Sequence, residues 1–100
     1  MSTDIQTLTK EKIKLDEPGL YDVIFLNDNI TTIEFVVKVL KQIFGKTQEQ
    51  AEAITRRIHD DGQGVVGSYV HEVAEQKGIE TTVLSRNNNY PLQVKIEADK

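Results

Sequence analysis

The sequence predicts a two-layer α/β (α+β) sandwich in the order β-α-α-β-α-β, a three-stranded sheet covered on one side by three helices. Three observations lead there. The short β-branched runs at Val23–Leu26 and Gln63–Val70 and the alternating stretch Leu92–Ile96 read as strands, and helical periodicity fills the intervals between them. Two capping-box sequences, Thr31 with Glu34 and Thr47 with Gln50, mark helix starts. Gly45 and Gly62 stand where helices need a residue that takes the left-handed conformation cheaply. One hundred residues suit one domain with a modest core.

Taken in order, residues 1–18 are polar and charged, and Ile5, Leu8, Ile13 and Leu15 are too scattered to form one apolar face. They are expected to be a disordered N-terminal extension. Pro18-Gly19 marks the junction with a folded domain over 19–100. The run Val23-Ile24-Phe25-Leu26 is a buried strand that stops at Asn27-Asp28-Asn29. A helix opening at Thr31 would turn Ile33, Val36, Val37, Leu40, Ile43 and Phe44 inward. The next helix carries Glu49 and Glu52 early and Arg56, Arg57 and His59 late, the order that complements the helix dipole, with Ala51, Ile54 and Ile58 inside. Gly64 and Gly67 predict a bulge or close backbone approach in the second strand. A third helix spans about His71 to Arg86, where Gly78 costs roughly 1 kcal/mol relative to alanine. Asn87-Asn88-Asn89 is a loop, and the chain closes on a half-buried strand.

Composition narrows the function. A net charge of −4 and a pI near 5.1 give no footprint for nucleic acid or an anionic membrane surface. Without cysteine there is no disulfide framework and no thiolate metal site. No apolar run reaches transmembrane length, and the first residues lack the layout of a signal peptide, so a soluble intracellular protein is expected. An apolar strand that delivers Asn27, Asp28 and Asn29 to the rim above an apolar helix presents fixed polar groups beside an apolar pocket.

Four segments in order, LNDNITTIEFVVKVL, FGKTQEQA, IHDDGQGVVGSYVHEVAE and YPLQVKIE, resemble the ClpS family over about Leu20 to Glu97. The resemblance implies an adaptor without catalytic activity, cofactor or bound metal. It would recognise free N-terminal Leu, Phe, Tyr or Trp and deliver such N-degron proteins to the N-domain of a ClpA- or ClpC-like AAA+ unfoldase, in a bacterial cytoplasm. By resemblance Asn27, Asp28 and His59 hold the α-amino group, and Asn29, Thr31, Ile33, Val36, Ile58 and Leu92 surround the side chain. Glu72 and Lys77 match positions that contact the unfoldase, and the N-terminal extension matches one that engages it.

The chemistry is consistent. An α-amino group with a pKa near about 8 is mostly a cation with three donors at neutral pH. An amide oxygen, a carboxylate and an imidazole nitrogen are suitable acceptors, the carboxylate adding charge assistance. Two residues depart from the family pattern. Asn29 replaces a common second aspartate, which weakens the local negative potential, and Ile33 replaces the usual methionine, which stiffens that wall.

Each group also has a plainer role. Asn-Asp after a strand is turn chemistry, His59 near a helix end complements the dipole, and Thr31, Ile33, Val36, Ile58 and Leu92 have the spacing of core. As an enzyme the chain could pair His59 with Asp60 or Asp61, but Ser68 and Ser85 sit in no nucleophile motif. His59, Asp60, Asp61 and His71 have no established metal-site spacing. The remaining alternative is a structural interaction module like the ribosomal-stalk C-terminal domain, whose element order is similar.

Overall fold

The structure, a computed structural model, describes residues 19–99. The extension expected over residues 1–18 lies outside the described residues. Strand β1 (Tyr21–Leu26) is followed by helices α1 (Ile33–Gln42) and α2 (Gln48–Asp61), strand β2 (Gln63–Tyr69), helix α3 (His71–Asn87) and strand β3 (Gln93–Ala98). This is the order the sequence predicts. The sheet is antiparallel throughout, in the order β2-β1-β3.

The most apolar strand takes the centre. Val23 and Phe25 of β1 are fully buried beneath the helices, and Ile24, on the opposite face by alternation, is flanked by Val65 and Lys95 of the two outer strands. Between Val23 and Ile24 the pairing with β2 slips, from Gly67 to Val65, and leaves Val66 as the extra residue of a bulge. Val66 thereby joins the core. At Gly64 a Cβ would come within 2.9 Å of Ile58 Cγ1, so the missing side chain lets α2 lie directly on β2.

Helix α2 begins with the expected capping box: the Gln50 amide donates to Thr47 Oγ1 and the Thr47 amide to Gln50 Oε1, both at 3.1 Å. Helix α1 departs from expectation. Its cap is Thr32, whose hydroxyl accepts from the Phe35 amide at 3.1 Å, because Thr31 is bound to Asp28 and is not free to cap. Ile33 is 61% exposed and so leaves the inner face expected for it. It has the angular position of the buried stripe. As the first helical residue, however, its side chain leans toward the N-terminus and overhangs the end of the core.

Helix α3 packs through small residues. Ala74, Gly78, Thr81 and Ser85 face inward, while Val73, Ile79 and Val83 are exposed. The buried hydroxyls of Thr81 and Ser85 donate to the carbonyls four residues back, of Lys77 and Thr81, at 2.9 and 2.7 Å. Lys77 ties α3 to the end of α1: its Nζ donates to the Ile43 carbonyl at 2.8 Å and lies 5.7 and 5.2 Å from the ring centres of Phe44 and Tyr69.

The two buried glycines should respond oppositely to alanine. At Gly78 a Cβ would sit 3.4 Å from Ile96 Cδ1 and 3.6 Å from Val94 Cγ1, ordinary contact distances. Gly78→Ala should therefore gain helix propensity and raise stability by up to about 1 kcal/mol. Gly64→Ala should displace Ile58 and lower stability by about 1 to 3 kcal/mol. Urea unfolding of both variants checks this, and equal destabilisation would contradict the packing described.

Candidate functional site

Leu26 pairs with Gln63 on one side and Gln93 on the other, so the end of β1, the α2–β2 junction and the start of β3 meet at one end of the sheet. Gly62 closes α2 with φ 87°, its amide bonded to the Ile58 carbonyl at 2.9 Å. The Gly62 carbonyl in turn accepts from the Asn27 amide at 2.9 Å. The exposed Asn27 side chain is thus carried on a backbone fixed from two directions.

Asp28 organises the elbow between β1 and α1. Its Oδ1 accepts from the Ile30 amide at 2.8 Å and the Thr31 amide at 2.6 Å, and its Oδ2 accepts from the Thr31 hydroxyl at 2.8 Å. A carboxylate has about four acceptor positions, so one stays open toward solvent. Burial alone would raise the Asp28 pKa, but these three donors and the nearby Arg86 guanidinium outweigh it and hold the pKa below its ordinary 3.8. The group is an anion at neutral pH. The turn role and a binding role are therefore compatible, since the bonds that shape the turn also keep the charge in place.

The opposite wall hangs from α3. Asn89 reverses the chain with φ 64°, a conformation asparagine tolerates, and the Tyr90 amide bonds back to the Ser85 carbonyl at 2.9 Å. The Tyr90 ring packs against Phe35 with centroids 4.7 Å apart. Its hydroxyl lies 3.4 Å from Thr32 Oγ1. Leu92, 2% exposed, follows at the entry to β3.

Between these walls lies a cavity of about 20 Å³ lined by Phe25, Leu26, Asn27, Asp28, Thr31, Val36, Ile58 and Leu92. Six of the residues singled out from sequence, Asn27, Asp28, Thr31, Val36, Ile58 and Leu92, meet here. Phe25 and Leu26 are additional, and nothing in a buried strand run distinguishes them as lining. The volume is that of roughly one water, whereas cavities that admit a benzene ring are on the order of 150 Å³.

Three other predicted residues stand outside the cavity. Asn29 is exposed on the elbow. His59, next to the lining residue Ile58, is exposed with Nδ1 3.5 Å from Asp60 Oδ1. It shares a groove of about 440 Å³ with Ile33, Glu52, Thr55 and Arg56. This groove, a second of about 530 Å³ along α1 and α2, and a third of about 410 Å³ between α3 and β3 are all larger than the cavity. Size does not decide. Among the described residues, it is the small cavity that joins a fixed anion and an amide to a buried apolar interior. Glu72 is exposed in the first turn of α3, while the Lys77 ammonium is engaged internally.

The profile of the family described as ATP-dependent Clp protease adaptor protein ClpS matches residues 16–95. The chain belongs to the ClpS family. It is 46% identical over 84 residues to the ATP-dependent Clp protease adapter protein ClpS of Treponema denticola, covering 84% of this chain and 83% of that one. The ClpS of Phenylobacterium zucineum is 42% identical over 92 residues, covering 92% and 84% respectively. Agrobacterium tumefaciens ClpS2, solved bound to L-phenylalaninamide, superposes with a TM-score of 0.79 at 34% identity, covering 82% of this chain and 99% of that one. The family's proteins are adaptors of a protease. Among the described residues, no helix is long and apolar enough to cross a membrane.

Asp28 also makes a pH-dependent contribution to stability. Because its pKa is depressed in the folded chain, the contribution is complete above the ordinary carboxylate pKa and disappears as pH falls through the folded value. The stability difference between the parent chain and Asp28→Ala should thus be largest near neutrality and shrink below about pH 4. Urea unfolding at pH 7 and pH 3 measures it. A difference that does not change with pH would assign the loss to packing rather than to the charge.

Proposed function

We propose that this chain binds the free N-terminus of a polypeptide whose first residue is Leu, Phe, Tyr or Trp and delivers it to a ClpA- or ClpC-like unfoldase in a bacterial cytoplasm. The observation that carries this reading is the single cavity where Asn27 and Asp28 adjoin Thr31, Val36, Ile58 and Leu92. L-phenylalaninamide, the ligand of the ClpS2 relative, has a free α-amino group, a benzyl side chain and no carboxylate, as the first residue of a polypeptide does. In this chain the remaining acceptor position of Asp28 and the amide oxygen of Asn27 take the ammonium protons, and His59 closes on the third from α2. The side chain enters among Val36, Ile58 and Leu92. With about 20 Å³ between them, those walls must part to admit a ring.

Delivery uses other parts of the chain. Glu72, exposed at the start of α3, is assigned to the unfoldase surface, and residues 1–18 to engagement of the ATPase. Lys77 is half-buried and hydrogen-bonded internally, so its part in that surface is secondary to Glu72. A stalk-like structural module would have no use for a charged acceptor set above an apolar cavity.

A peptide beginning with unmodified Phe should bind, and its N-acetylated form should not. Acetylation removes the charge and two donors and leaves acceptors unsatisfied at about 1 to 3 kcal/mol each. Fluorescence anisotropy with the two peptides is decisive, and equal affinity would end this reading.

Ile33 offers a second test. Because it is 61% exposed, Ile33→Ala and Ile33→Met should leave stability within about 0.5 kcal/mol, so any change in binding belongs to the ligand. Methionine is the more adaptable side chain, and Ile33→Met should raise the affinity for N-terminal Trp relative to Phe. An unchanged Trp-to-Phe ratio would show that Ile33 sets no preference.

A further inference from the structure

Arg86 belongs to the last turn of α3, where a basic residue ordinarily serves the helix dipole. Its guanidinium does more than that. A single nitrogen, Nη1, donates to the Tyr90 carbonyl at 3.0 Å and to the Leu92 carbonyl at 2.8 Å. These are charge-assisted bonds to two points of one loop, and the loop carries Leu92 into the wall of the cavity and Tyr90 against Phe35 and Thr32 at the start of α1. Thr31, the neighbour of Thr32, completes the circuit back to Asp28. Leu92 and Thr31, which both line the cavity, are thus joined through one chain of contacts, and Arg86 ties the loop end of that chain to α3.

We propose that Arg86 is a positioning residue for specificity, clamping the Tyr90–Leu92 loop so that Leu92 is a fixed wall against which the first side chain of the bound polypeptide is measured. This rests on the binding function proposed above. The cavity has almost no spare volume, so its discrimination depends on how little Leu92 yields. A firm wall rejects a side chain branched at Cβ, because the branch adds bulk that a nearly filled cavity cannot take up. A wall free to shift admits it. Hydrophobic pockets separate ligands that differ by one methylene about 10- to 200-fold, and that ratio is what the clamp maintains.

The test compares the parent chain, Arg86→Lys and Arg86→Met for binding of fluorescent peptides that begin with Phe, Leu, Val or Ile and are otherwise identical, with thermal melts of each protein. Lysine keeps the positive charge, but its single ammonium on a flexible stem is not pre-organised to bridge both carbonyls. Arg86→Met should weaken Phe binding about 10-fold, the equivalent of one charge-assisted hydrogen bond, and weaken Val and Ile binding less, so that the Phe-to-Val ratio falls. Arg86→Lys should fall between the parent and Arg86→Met in that ratio. If Arg86→Met does not fold, the ratio in Arg86→Lys alone decides. A ratio equal to the parent's in every folded variant overturns the proposal, whether or not Tm falls, since a structural role alone would weaken all peptides alike. Failure of the parent chain to bind the Phe peptide would instead overturn the binding function, and this proposal with it.

Discussion

β1 pairs on both sides and is covered by helices on one face, and this constraint sets the position of everything else. A one-residue slip of β1 would break two ladders and send Val23 and Phe25 to the wrong face, so its register is held by the whole core. The point where β1 ends is fixed equally firmly, and there the chain places Asn27 and Asp28. The starts of β2 and β3 are at the same end because both outer strands run antiparallel to β1. Residues distant in sequence, Asp28, Ile58 and Leu92, are thereby brought together without any one segment folding around the site.

Much of this was legible in the sequence because it followed from local chemistry. Thr47 and Gln50 form their box, Gly62 takes the left-handed conformation, and the glycine-spaced second strand does bulge. What escaped was decided by long-range competition. Thr31 has the right spacing to cap a helix, but Asp28 takes both its amide and its hydroxyl, and the cap passes to Thr32. Helix α3 turns small and hydroxylated residues inward and leaves Val73, Ile79 and Val83 exposed, the reverse of an amphipathic pattern. Gly78, a weakness by helix propensity, lies where α3 passes close to β3.

The site was legible in a different way. Resemblance picked out the nine residues, and the structure brings six of them into one cavity while leaving Asn29 exposed on the elbow and Ile33 and His59 in a neighbouring groove. Arg86 was overlooked because a basic residue in a last helical turn has a sufficient local explanation. Its bonds to Tyr90 and Leu92 depend on how the chain returns after Asn89, which no periodicity reports. Lys77 is a parallel case. Resemblance matched it to a position that contacts the unfoldase, and its ammonium is also held by the Ile43 carbonyl beside two aromatic rings, a contact no local pattern reports.

The near absence of free volume in the cavity also has a kinetic consequence. A protein whose walls must part before a ring can enter binds only from the fraction of molecules that are open, and its apparent affinity is reduced by that fraction. Association then proceeds in two stages, and its observed rate levels off at high peptide concentration instead of rising in proportion. Under the proposed binding function, dissociation needs the same opening, so a captured N-terminus would be held for at least as long as the walls stay shut. For an adaptor, that residence time is the interval in which its cargo can be passed on.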